Sequence, residues 1–145
     1  MKRLSTDAVI NLIRAQGLKL TPQRLAIVAY LQRCDHHPTA EEVLAAVNDT
    51  FRMTSRATVY NTLRWLTENG WLAEIYEGGV ARFDPNLDPH HHFVCRRCGR
   101  VEDVDYDAVA PQPQCTLPGR HVIESFELTL RGVCASCAAA DAATT

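Results

Sequence analysis

Residues 84–103 read DPNLDPHHHFVCRRCGRVED and concentrate the chain's candidate metal ligands. The stretch holds three consecutive histidines, His90, His91 and His92, and a Cys-x-x-C pair, Cys95 and Cys98. A second such pair, Cys134 and Cys137, follows after 35 intervening residues. Two Cys-x-x-C pairs are a pattern for a closed tetrahedral zinc site, because the two-residue spacer lets both sulfurs of a knuckle turn toward one ion. Two disulfides or a redox pair are the alternatives. A redox pair of the thioredoxin type belongs to a strand-helix-strand context, whereas here each pair borders a strand-like run, which favours structural zinc on Cys95, Cys98, Cys134 and Cys137.

The histidines require a separate argument. Residues 91–95 read as a β-strand entering the first knuckle, and strand side chains alternate faces. His90, His92 and Val94 then face one way, and His91, Phe93 and Cys95 the other. An ion held by Cys95 is therefore not the ion that His90 and His92 would hold. Imidazoles suit zinc, iron and nickel, and carboxylates widen the choice toward manganese. Asp84, Asp88, Glu102 and Asp103 lie close in sequence, so a mixed nitrogen and oxygen site competes with a merely solvated histidine run.

The chain has 145 residues, enough for one ordinary domain or two small ones. Its 15 basic and 17 acidic side chains give no global basicity, so any nucleic-acid contact must come from local placement. No apolar run is long enough to span a membrane, and Ser5, Thr6 and Asp7 break any secretory pattern after Met-Lys-Arg. A cytoplasmic protein without membrane association is expected, and in a reducing compartment its six cysteines are better explained by metal than by disulfides. Cys34 and Cys115 are left over as idle or buried thiols.

Upstream, residues 6–16 carry apolar side chains at helical spacing and end at Gly17. Thr21 caps a second helix with Pro22 at its first position, and Thr39 with Glu42 forms a capping box for a third. Ser55 caps a fourth, over 56–69. Val59, Leu63 and Leu66 should face the bundle, leaving Arg56, Tyr60, Asn61 and Arg64 outside. That outer face suits guanine, adenine, thymine methyl or phosphate contacts, or it is an ordinary solvated face. Residues 72–77 and 80–84, joined by Gly78-Gly79, read as a β-hairpin. Helices followed by a hairpin make a winged helix, a variant of the helix-turn-helix.

Downstream of the first knuckle, 100–106 alternates as a strand, Pro111, Pro113 and Pro118 make 107–119 a loop, and 121–133 alternates again into the second knuckle. The alanine-rich tail either extends a helix or stays loose, with disorder expected from Asp141 onward. The fold expected is α+β. It comprises an N-terminal winged helix-turn-helix domain over 1–84 and a small α/β domain over 85–145 with a three-stranded antiparallel sheet. Such a sheet, with an unpaired edge, should pair with its twin.

These pieces together resemble the Fur family of metalloregulators over nearly the whole chain. The likeness is carried by Leu20-Thr-Pro-Gln-Arg24, His37-Pro-Thr-Ala40, Ala57-Thr-Val-Tyr-Asn61, Arg82-Phe-Asp84, the histidine run with Cys95 and Cys98, and Gly132-Val-Cys134. The resemblance implies a homodimeric, metal-dependent repressor that binds a double-stranded DNA operator with inverted-repeat half-sites through the N-terminal domain. It also implies a regulatory Fe(II) or Mn(II) site on His37, Asp84, His90, His92 and Asp103, beside the structural Zn(II). By the same resemblance, Lys19 reaches a minor groove and Arg24 holds phosphate. The two acidic positions are both Asp, as in the peroxide-sensing PerR branch, and the Pro-rich loop with Cys115 looks like the actinobacterial FurA and CatR type. The resemblance therefore implies hydrogen-peroxide sensing through oxidation of a histidine ligand, His37 or His90 by position. An iron, manganese or zinc uptake regulator without peroxide sensing is the alternative.

The chain departs from the family where an accessory site's histidines would stand: those places hold Pro89 and Ser125 or Phe126, and no accessory site is expected. The helix between the second and third strands of the small domain is also shortened and broken by proline. An enzyme is not expected, since no His-Glu-x-x-His or Gly-x-Ser-x-Gly is present and five protein ligands would leave little room for the open position and activated water that catalysis requires.

Overall fold

The computed structural model describes residues 3–109 and 117–143. The chain divides into two compact units, Met1–Asp88 and Pro89–Thr145, with the break four residues beyond the expected boundary. No described helix is long and apolar enough to cross a membrane.

The first unit contains helices α1 (Thr6–Ala15), α2 (Pro22–Arg33), α3 (Ala40–Thr50) and α4 (Arg56–Glu68), followed by strands β1 (Ala73–Glu77) and β2 (Val80–Asp84). Three of the helices begin where a hydroxyl can satisfy an otherwise free N–H. The Thr21 side chain accepts from the Arg24 N–H, Ser55 from Thr58, and Thr39 forms the reciprocal capping box with Glu42. The bundle closes on Val9, Ile13, Ile27, Val28, Leu31, Val43, Val47, Val59, Leu63 and Leu66, all essentially inaccessible. Each such side chain contributes roughly 1.5–3 kcal/mol by leaving water. The hairpin turns through Gly78 and Gly79, whose φ values of 61° and 80° are both in the left-handed region. That is the geometry of a two-residue turn matched to strand twist.

The second unit contains β3 (His90–Cys95), β4 (Val101–Asp105), a 3-10 turn at Tyr106–Ala108, β5 (Thr129–Gly132) and α5 (Ala135–Ala143). The strand order is β4-β3-β5, with β3 and β4 antiparallel but β3 and β5 parallel. The expected purely antiparallel sheet is thus corrected to a mixed one, and the thiols give the reason. Each Cys-x-x-C pair follows the C-terminal end of its strand, β3 running into Cys95 and β5 into Cys134. The two strands must point the same way for the two knuckles to meet.

Two further expectations are corrected. The last strand is four residues long rather than spanning 121–133, because only its end lies in register beside β3, from His92 opposite Thr129 to Cys95 opposite Gly132. The chain beyond Asp141 was expected to be disordered, yet α5 continues to Ala143, with Asp141 accepting a hydrogen bond from Arg97. Pro111, Pro113 and Cys115 lie outside the described residues.

Candidate metal centres and recognition helix

The four knuckle cysteines converge within the second unit. One sulfur from each of Cys95, Cys98, Cys134 and Cys137 lies within 4.8 Å of the others, and none is in a disulfide. Cys98 Sγ and Cys134 Sγ are 3.8 Å apart. A tetrahedron with Zn–S bonds of about 2.3 Å has an edge of about 3.8 Å, so the donor set fits zinc in both type and spacing. The first knuckle closes through Gly99, at φ 75°, whose N–H donates to the Cys95 carbonyl at 2.9 Å. The second is built by α5, where the Ala138 N–H donates to the Cys134 carbonyl at 2.9 Å. The Cys134 N–H also donates to Cys95 Sγ at 3.3 Å. That bond, with further N–H donors of the first knuckle, lowers the Cys95 thiol to about 6, whereas the Cys137 thiol, hydrogen-bonded to Cys134 and partly buried, is pushed up to about 12. Crowded thiols are in this way ready to exchange protons for a cation.

The nitrogen and oxygen donors form one group in each unit. In the first, the segment before α3 runs beside β2. Phe83 N–H donates to the Pro38 carbonyl at 2.9 Å, and the Arg82 guanidinium donates to the His37 carbonyl at 2.9 Å. This pairing sets His37 against the last residue of the wing, with His37 Nε2 3.2 Å from Asp84 Oδ2 and both side chains buried. The other Asp84 oxygen accepts from the Asn86 N–H at 2.8 Å, which fixes the carboxylate.

In the second unit, the alternation of β3 puts His90 and His92 on one face, as expected, and the antiparallel register places Asp103 directly opposite His92. His90 Nε2 lies 2.9 Å from His92 Nε2 and 3.1 Å from Asp103 Oδ1, and His92 Nε2 lies 3.6 Å from the same oxygen. Neighbouring donors on a six-coordinate ion with bonds of about 2.1 Å stand about 3 Å apart, so the trio has the spacing and donor types of an octahedral site. His91 faces the other way and is fully buried, stacked against Tyr106 at 5.0 Å and Phe126 at 5.3 Å between ring centroids. Asp88 and Glu102, both close in sequence, belong to neither group.

On α4, Val59, Thr62, Leu63 and Leu66 are buried, and Arg56, Tyr60, Asn61 and Arg64 are exposed, the division expected from helical spacing. Tyr60 and Arg64 border a cleft of about 570 Å³ between α4 and the hairpin. Asn61 lines a smaller polar hollow of about 340 Å³ with Arg24 and Ser55, where the N-termini of α2 and α4 approach. Lys19 is exposed, and its carbonyl accepts from the Arg24 guanidinium.

Two partners escaped the sequence reading. Glu41 of α3 accepts from Arg56 at 2.7 Å and from the Tyr60 hydroxyl at 3.3 Å. Glu127 lies 3.0 Å from His92 Nδ1. Neither pairing has a sequence signal, since each depends on how two elements distant in the chain pack together.

Residues 15–130 match the model of the ferric uptake regulator family. The chain belongs to that family. It is a regulator of transcription and not an enzyme. It is 36% identical over 131 residues to the peroxide-responsive repressor PerR of Staphylococcus epidermidis, spanning 86% of this chain and 85% of that one. It is 34% identical over 133 residues to the peroxide operon regulator of Bacillus subtilis, spanning 88% and 90%. Among solved structures, the Helicobacter pylori ferric uptake regulator Fur, described as having three functional metal-binding sites, superposes with a TM-score of 0.72 at 23% identity. That match covers 95% of this chain and 97% of the other and shows the common fold.

Proposed function

We propose that this family member is a cytoplasmic, homodimeric repressor that binds an inverted-repeat DNA operator and releases it when hydrogen peroxide oxidises a ligand of its regulatory metal. The observation that carries the reading is the donor chemistry. A four-thiol cluster suited to permanent zinc stands apart from imidazole and carboxylate groups suited to exchangeable Fe(II) or Mn(II). In this reading His37 and Asp84 of the N-terminal unit join His90, His92 and Asp103 of the C-terminal unit on one cation. A cation bound by both units favours one arrangement of the two reading heads. A preference of about 5.5 kcal/mol moves such an equilibrium from 1:99 to 99:1.

One peroxide and one imidazole, His37 or His90, together give water and a ring one oxygen atom heavier; bound Fe(II) would supply the electron that opens the O–O bond and, as Fe(III), would accept one back from the hydroxylated ring. The oxidised ring is a poorer donor, so affinity for the cation falls and the operator is released. The two relatives named for peroxide response support this branch of the family over metal uptake control. A second copy of the chain is supported by apolar side chains left in water on the C-terminal unit, Val122 at 85% and Ile123 at 53% exposure.

For operator contact, the proposed reading surface is Arg56, Tyr60, Asn61 and Arg64 on α4, with Lys19 and Arg24 on the backbone and adjacent groove. Arg64→Ala should weaken operator binding and flatten its salt dependence; unchanged affinity and slope would remove Arg64 from the surface. The decisive experiment measures operator binding by the zinc-loaded chain with Fe(II) or Mn(II), before and after peroxide, with mass spectrometry of the ligand peptides. Release with Fe(II) alone and a 16 Da gain on His37 or His90 is expected from the oxygen balance. Metal-dependent binding that survives peroxide with no mass gain points instead to uptake regulation.

A further inference from the structure

We propose that Glu127 is a positioning residue for His92, holding its imidazole in the tautomer and orientation that present Nε2 to the regulatory cation. This rests on the metal site proposed above. His92 is almost fully buried, and its two ring nitrogens have separate company. Nε2 faces His90 and Asp103, while Nδ1 lies 3.0 Å from Glu127 Oε1. An ionised carboxylate only accepts, so the Nδ1 beside it carries the proton and Nε2 keeps its lone pair. A carboxylate behind a ligating histidine is a recurrent means of orienting the ring and strengthening it as a donor.

Glu127 is 63% exposed and lies outside any strand, yet the backbone beside it is pinned twice. The Leu128 carbonyl accepts from the His92 N–H at 3.0 Å, and the Leu128 N–H donates to His91 Nδ1 at 3.1 Å. His91 is therefore a clip. Its Nδ1 accepts, so its Nε2 carries the hydrogen in the neutral ring, and that buried nitrogen has no partner among the described residues. An orphaned buried donor costs stability, and here it accompanies a contact that sets Glu127 behind its neighbour on the strand. The middle histidine of the run thus has a role distinct from that of the two flanking it.

The test uses full-length, zinc-loaded chain with Glu127→Ala, Glu127→Gln and, as a control on the site itself, Asp103→Asn. Nitrogen NMR of the histidine rings without added Mn(II) should show His92 protonated on Nδ1 in the wild type and a mixture of tautomers in Glu127→Ala. Mn(II) affinity, followed by paramagnetic resonance, should fall about 10–100-fold in Glu127→Ala. Glu127→Gln keeps an accepting oxygen, so it should restore the tautomer and most of the affinity. If Asp103→Asn weakens Mn(II) while Glu127→Ala leaves tautomer and affinity unchanged, the role of Glu127 is overturned and the site stands. If Mn(II) binding is indifferent to Asp103→Asn, the site falls and the inference with it.

Discussion

The thiol cluster and the imidazole-carboxylate groups differ in where the chain carries their donors. All four cysteines belong to Pro89–Thr145, on two knuckles joined by β3 and β5, whereas the other donors are divided, two on Met1–Asp88 and three on Pro89–Thr145. A site contained in one unit is coupled to the folding of that unit. A set whose donors are divided between two units couples an ion to their arrangement, which is what a sensor requires. In the function proposed above, the thiols are thus a permanent staple and the imidazoles and carboxylates a switch.

The most severe way to break this comparison is Cys134→Ser. Structural zinc contributes on the order of 10–16 kcal/mol in small zinc domains, so the variant should lose zinc and the ordered C-terminal unit together. Zinc analysis with circular dichroism checks this, and a zinc-free chain with an intact second unit would contradict it. Next in size, His37→Ala should weaken Mn(II) by at least about tenfold while leaving zinc content unchanged, since a lost ligand is felt only at its own ion. Equal loss of both metals in a calorimetric titration would erase the distinction. Smaller again, Thr39→Ala removes the capping box beside His37 and should cost about 1 kcal/mol in urea unfolding of the N-terminal unit, without disturbing zinc.

The smallest effect concerns protons. Backbone donors of the closed knuckles lower the Cys95 thiol from 9.0 to about 6, so its thiolate, the form that holds zinc, favours the folded second unit. That contribution is fully present above pH 9, shrinks as the pH drops below it, and is lost as the pH falls through about 6. Zinc content and circular dichroism of the second unit at a fixed chelator concentration should therefore both decline on acidification across that range, and retention unchanged from pH 9 to 6 would contradict it.

Much of this was legible without coordinates because it is local. Helix caps at Thr21, Thr39 and Ser55, the Gly78-Gly79 turn, the buried stripe of α4 and the alternation of His90, His91 and His92 all follow from rules acting over a few residues. The strand direction of β5 was misread because alternation reports which face a side chain takes and says nothing about which way a distant strand runs. Strand length was overestimated for a related reason: residues 121–128 alternate, but alternation alone does not supply a neighbour to bond.

The amino-acid sequence by itself determined the α+β class, the two kinds of metal donor and the exposed face of α4, since spacing and residue chemistry suffice for these. Only the tertiary structure decided that β5 lies parallel to β3, that Glu41 occupies Arg56 and Tyr60, and that Glu127 stands behind His92. The physical reason is that such pairings join residues 15 to 37 positions apart, where the free energy of a contact depends on how whole elements pack, a quantity that no short window of sequence contains.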